Sequence, residues 1–242
     1  MRRNELNEMS SKSASAPGLL RKAMQPMNKR IRRPSGFTLV EILVVTAILF
    51  FLLAAVLLPG LTRTNKRSPR IGCTSNLKQV GLSFRLYAND HGDKFPFAVS
   101  NQFGGTLEFT NSPLVIRHFE SMSNEMVTPK ILVCPSDSGR AKATDFYSPL
   151  ANRNLSYFVG LDAREDNPQL ILSGDRNITG GTLSNGFLRV LPTNAAAGWT
   201  TELHTSYGNI GLSDGSVQQL SPASLRKQLQ EQDLPVIRLA VP

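Results

Sequence analysis

The sequence predicts an α+β fold, a long N-terminal helix packed on a small, mainly antiparallel sheet. Three observations predict it. Residues Phe37 to Leu58 form one apolar run with a single charge, Glu41. Apolar residues then recur at helical spacing in Cys73, Leu77, Val80, Phe84 and Tyr87. Beyond residue 130 the pattern changes to short apolar runs divided by turn residues.

The first run decides the class of protein. Its 22 residues would extend roughly 33 Å as a helix, enough for a bilayer core of about 30 Å. A cleaved secretory signal would carry a shorter apolar region and a small-residue cleavage site, and Leu57-Leu58-Pro59-Gly60-Leu61 offers none. The helix is therefore expected to remain in the product as one membrane span. Basic residues lie close to it on both sides, six over residues 21–33 and five over 63–78. The immediate flank Lys29-Arg30-Ile31-Arg32-Arg33 favours a cytoplasmic N-terminus.

Charge narrows the partners. Lys and Arg total 27 against 18 Asp and Glu, a net charge of +9. Residues 1–36 carry +7 of it, and 37–242 only +2. A basic nucleic-acid-binding face on the main body is not expected.

Glu41 is the anomaly of the apolar run. A charge at that depth costs a few kcal/mol and calls for a partner. A cut between Gly36 and Phe37 would create an α-ammonium four residues before Glu41. On a neighbouring copy, that ammonium would pair with the carboxylate and set the axial register between subunits.

The segment Arg32-Arg33-Pro34-Ser35-Gly36-Phe37-Thr38-Leu39-Val40-Glu41 resembles the processing site of type IV prepilins and type II secretion pseudopilins. The resemblance implies a pilin-like fold, cleavage by prepilin peptidase after Gly36, N-methylation of Phe37 and an assembly role for Glu41. It also implies assembly with other pilin or pseudopilin subunits, a place in the bacterial inner membrane with the head in the periplasm, and service to a secretion or pilus machinery. Pro59 matches a proline that bends the first helix of many pilins. The 36-residue leader is long for the family, and Met24 or Met27 would be a more typical start. The expected organisation is a leader over 1–36, a transmembrane and assembly segment over 37–61, a periplasmic continuation over 62–90 and a head over 91–242.

The later elements follow in order. Polar residues 62–70, with Pro69, are expected to interrupt the first helix. It resumes over the Cys73–Tyr87 stripe and stops at Asn89-Asp90-His91-Gly92-Asp93. A second helix is expected over 112–126, capped by Ser112, with His118 beside its apolar stripe as a core or boundary residue. Strands are expected at 130–134, 155–161, 169–172, 187–191, 209–213 and 216–220, the last two joined by the turn Asp214-Gly215. A short helix over 222–231, capped by Ser221, closes the series.

Chemistry has few footholds here. Cys73 and Cys134 either form one bridge or remain two thiols, and no Cys/His cluster has zinc spacing in sequence. Gly211-Leu212-Ser213-Asp214-Gly215 matches a nucleophile elbow, but a strand follows the serine and every histidine precedes it. No catalytic residue and no enzyme activity are assigned. His204 with Asp214 and Gly215 resembles the His-x9-Asp-Gly signature of a processing-associated C-terminal segment, here 199–218. Its expected role is structural, with His204 bonding across the hairpin. No cofactor is expected, although Asp162, Glu165 and Asp166, or Asp175 with Asn177, are hard oxygen donors that would suit calcium. A rival function is a singly anchored periplasmic binding module, with Trp199, Phe103 and the Gly104-Gly105 loop at its site.

Overall fold

The computed structural model describes the backbone of residues 36–242, and their side chains outside 57–69. The expected leader lies outside the described residues except for Gly36. The chain divides into two units, one ending at Phe51 and one running from Leu52 to Pro242.

Helix α1 is Leu39–Asp90, 52 residues. The expected break at 62–70 is absent. A proline removes one helical hydrogen bond, and the bonds on either side of Pro59 and Pro69 suffice to carry the helix on. Within the second unit the predicted stripe of α1 (Cys73, Leu77, Val80, Phe84, Tyr87) is almost wholly buried. Gly81 leaves room for the backbone of Gly215, whose Cα would lie 3.5 Å from a Cβ at position 81.

The head is built on seven antiparallel strands. They are β1 (Tyr157–Gly160), β2 (Ile171–Asp175), β4 (Thr182–Ser184), β5 (Leu188–Pro192), β7 (Gly208–Leu212), β8 (Val217–Leu220) and β9 (Val236–Ala240), in spatial order β4-β5-β9-β1-β2-β7-β8. Strands β3 (Ile178–Thr179) and β6 (Gly198–Trp199) form a separate pair. Side chains alternate across the sheet with period two. Tyr157, Val159 and Leu172 enter the core that holds the α1 stripe. Phe158, Ile171, Ile210 and Leu239 enter a second core with Leu225 and Leu229 of helix α3 (Pro222–Gln230). Helices thus cover both faces of the sheet, not one. Ser221 caps α3 by accepting from the Ser224 amide, as its sequence predicts.

Two expected elements differ, and one interior strand was not expected. The helix over 112–126 shrinks to α2 (Arg117–Glu120) flanked by turns. Ser121, Ser123 and Asn124 compete with the backbone for hydrogen bonds and stop it early. Its apolar stripe is still buried: Val115, Phe119, Met122 and Met126 all lie in the core. The expected strand at 130–134 begins instead as a 3-10 turn, Pro129–Leu132, which Thr128 caps and Pro129 opens. Strand β9, central in the sheet, has no expectation in sequence. It is five residues long, and its register comes entirely from β5 and β1.

His118 is wholly buried, its Nδ1 2.7 Å from Thr106 Oγ1 and its Nε2 without a partner. Burial pushes its pKa down to about 4. The unfolded chain takes up this proton near pH 6.5, the folded chain only near 4, so stability is full above 6.5 and falls as pH drops through that window. The loss amounts to about 3 kcal/mol by pH 4. Urea midpoints measured from pH 7 to 4 are expected to fall less steeply in His118→Gln. Parallel slopes in the two chains would refute this assignment.

Candidate functional site

The first site is the start of α1. Gly36 and Phe37 are exposed, and a Cβ placed on Gly36 meets nothing within 4 Å. Nothing in the described fold requires glycine there. Thr38 and Glu41 form a reciprocal capping box. The Glu41 amide donates to Thr38 Oγ1, and the Thr38 amide donates to Glu41 Oε2, each at 3.3 Å. The Thr38 hydroxyl also donates to Glu41 Oε2 at 3.3 Å. Glu41 thus has a neutral local partner, distinct from the cationic one expected from a neighbouring copy. The signal was present in sequence as Thr-x-x-Glu ahead of an apolar run. The negative carboxylate also suits the positive end of the helix dipole.

The helix that follows is apolar on every side. Leu39–Val56 is long and apolar enough to cross a membrane, and no part of it is buried. Phe37 is 77% exposed.

The second site lies in the head, beneath the C-terminal part of α1. Cys73 and Cys134 form a disulfide, with Cα atoms 4.7 Å apart. Neighbouring contacts tie the same elements together. Asn76 Nδ2 donates to the Val133 carbonyl at 3.1 Å, and Tyr157 Oη to the Cys73 carbonyl at 3.5 Å. Three residues beyond Cys134, Asp137 accepts from Arg176 Nε at 2.8 Å and Nη2 at 3.0 Å, and from Ser156 Oγ at 2.8 Å.

His204 faces this disulfide. Its Nε2 lies 3.4 Å from Cys134 Sγ, 3.2 Å from Asn209 Nδ2 and 3.4 Å from Asp175 Oδ2. Asp175 Oδ2 accepts from the Asn209 amide at 2.7 Å and from Asn209 Nδ2 at 2.9 Å. Burial raises the Asp175 pKa to about 7, against the pull of the two Asn209 bonds. Burial, with a smaller contribution from Arg70, lowers that of His204. Two further polar atoms of the cluster, His204 Nδ1 and Asp175 Oδ1, are buried without partners. The backbone at His204, Thr205 and Ser206 has positive φ (53, 55 and 66°), so the loop is held in a conformation costly for these residue types.

The two ends of the His-x9-Asp-Gly segment separate. His204 bonds Asn209 at the start of β7 rather than reaching across the hairpin. Asp214-Gly215 forms the β7–β8 turn, Gly215 with φ 81°, and Arg85 of α1 donates to the Asp214 carbonyl at 3.0 Å. The pairing of Asp175 with Asn209 was not foreseen, because the two lie 34 positions apart in the chain. Ser213 is buried and bonds the Leu170 carbonyl in a strand-turn-strand setting, unlike an elbow.

The carboxylates of the acidic loop that would suit calcium are ion-paired, whereas Asp175 Oδ1 and Asn177 Oδ1 are buried without partners. Asp162 is held by Arg238, Glu165 by Arg85 and Asp166 by Arg164. Asn177 Nδ2 donates to the Thr200 carbonyl. Trp199, expected at a binding site in the rival reading, is a core residue lying over Gly208, whereas Phe103 is exposed.

Comparison with known proteins agrees with the first site. The family defined by the prokaryotic N-terminal methylation motif matches residues 31–57. The chain is also similar to a competence protein, ComGC, of Halalkalibacterium halodurans, with 36% identity over 70 residues. That match covers 29% of this chain and 67% of the relative. No solved structure matches the chain.

Proposed function

Because the chain belongs to the type IV prepilin-like family, we propose that it is a non-enzymatic filament subunit, made as a precursor and held in the bacterial inner membrane by one helix. Prepilin peptidase cuts it between Gly36 and Phe37, and the new Phe37 terminus is methylated. The mature subunit then assembles with other pilin or pseudopilin subunits into a type II secretion or type IV pilus-like filament. The head lies in the periplasm, and nucleic acid is not a partner.

One observation carries this reading: Leu39–Val56 is apolar all round and entirely unburied. Fourteen large apolar side chains from Phe37 to Val56 are exposed. Moving them out of water gains on the order of 20–40 kcal/mol. A one-sided docking would cover only a stripe. Lipid before assembly, and neighbouring helices within a filament, cover the whole circumference. The Cys73–Cys134 disulfide supports an oxidising location for the head. The open space around Gly36 supports a glycine kept for an outside agent, and a peptidase that must approach the backbone is such an agent.

A photo-crosslinking residue at Ile48 in native membranes tests assembly. A ladder of multimers joined through the helix is expected. Monomers alone would favour a membrane-anchored module that does not polymerise.

A further inference from the structure

The buried cluster beneath α1 has more donors than its structural role needs. Cys73 Sγ, Cys134 Sγ and His204 Nε2 lie within 4.8 Å of one another, all buried. Asp175 Oδ2 is 3.4 Å from the same His204 nitrogen. We propose that Cys73, Cys134, His204 and Asp175 are a latent zinc site, closed by the disulfide and opened by its reduction.

Three features support this. The first is distance. Tetrahedral zinc with bonds of about 2.3 Å to sulfur and 2.0–2.1 Å to nitrogen or oxygen requires neighbouring ligands roughly 3.3–3.8 Å apart. Two of the six edges, Cys134–His204 and His204–Asp175, both 3.4 Å, already meet that requirement, and the Asp175 carboxylate must move toward the sulfurs to complete the set. The sulfur–sulfur edge must open when the bond is cut, and α1 and the 133–134 segment stay joined meanwhile through Asn76.

The second is tautomer. Asn209 Nδ2 donates to His204 Nε2, while Asn209 Oδ1 faces the Thr74 hydroxyl at 3.4 Å. Nε2 is therefore the unprotonated ring nitrogen, and its lone pair would turn from the Asn209 hydrogen to a metal. The third is charge. Asp175 is fully buried, its Oδ1 has no partner, and its only ion-pair neighbour among the described residues is His204. A buried carboxylate in that position is a ready ligand for a cation. Two sulfurs, one imidazole and one carboxylate select zinc over calcium or magnesium. The metal would join the same elements that the disulfide joins, so the reduced chain keeps a crosslink there.

The chemistry balances without a hidden reactant. A phosphine reductant takes the oxygen of one water and becomes the phosphine oxide, and the two water protons go to the two sulfurs. Zinc then displaces both thiol protons to buffer, together with that of Asp175 where it is protonated.

The test uses the full chain in detergent micelles, with zinc measured by competition against a chromophoric chelator. After phosphine reduction, one zinc per chain is expected, and cobalt in its place should show thiolate-to-metal charge-transfer absorption. The oxidised chain and Cys73→Ser/Cys134→Ser should lack that site, and His204→Gln should bind at least tenfold more weakly. Circular dichroism covers the case in which reduction unfolds the head, since one equivalent of zinc should then restore it. Equal affinity in reduced and oxidised chains, or a reduced head that zinc fails to restore, would overturn the proposal.

Discussion

Glu41→Gln is expected to leave cleavage and the start of α1 intact and to abolish assembly. The two roles of Glu41 separate on chemical grounds. In the capping box its carboxylate accepts from the Thr38 amide and hydroxyl, and a glutamine carbonyl accepts the same bonds. Only the charge is lost. If assembly depends on pairing between Glu41 and the Phe37 ammonium of a neighbouring copy, the glutamine leaves that ammonium in apolar surroundings without its counter-charge. Removing one partner of a buried ion pair costs about 3–5 kcal/mol, which weakens each subunit contact more than a hundredfold. Glu41→Ala loses the cap as well, at a further cost near 1 kcal/mol. Sedimentation of filaments from membranes expressing each variant measures the outcome. Normal filaments from Glu41→Gln would show that the carboxylate serves the helix cap alone.

The second large effect belongs to the disulfide. Cys73 and Cys134 close a loop with a sequence separation of 61. Removing the bond returns that loop's freedom to the unfolded chain, a destabilisation of about 4 kcal/mol. The folded head itself loses little. Asn76 still bonds Val133, and Gly72 still lies against Pro135. Urea unfolding of Cys73→Ser/Cys134→Ser in chelator-treated buffer should therefore show a large fall in midpoint with native spectra at zero denaturant. A difference below about 1 kcal/mol would mean that packing, not the crosslink, holds α1 to the 133–134 segment.

How much was legible in the sequence follows from how local each signal is. The membrane-length helix, the Cys73–Tyr87 stripe and α3 with its Ser221 cap depend on residues within a few positions of one another, and they are visible without a structure. Thr38-x-x-Glu41 is equally local, a neutral capping partner three residues from the carboxylate. Strand β9 was not foreseen, because Val236–Ala240 becomes a strand only through its pairing between β5 and β1. The 112–126 helix failed for the opposite reason. Its apolar spacing was real and is buried, but serine and asparagine at its centre favour turns. The head cluster was hidden most deeply: His204 and Asn209, Asp175 and the two cysteines come from four separate stretches, and only the sheet order and α1 bring them together.

The central claim is that a peptidase converts this chain into a filament subunit by exposing Phe37 beside the carboxylate of Glu41. Intact-mass and terminal-peptide spectrometry on the protein taken from its native membrane tests that most directly. The predicted result is a mature chain beginning at Phe37 and bearing one methyl group on its amine. A chain that still carries Arg32 to Gly36 ahead of an unmodified Phe37 would contradict it.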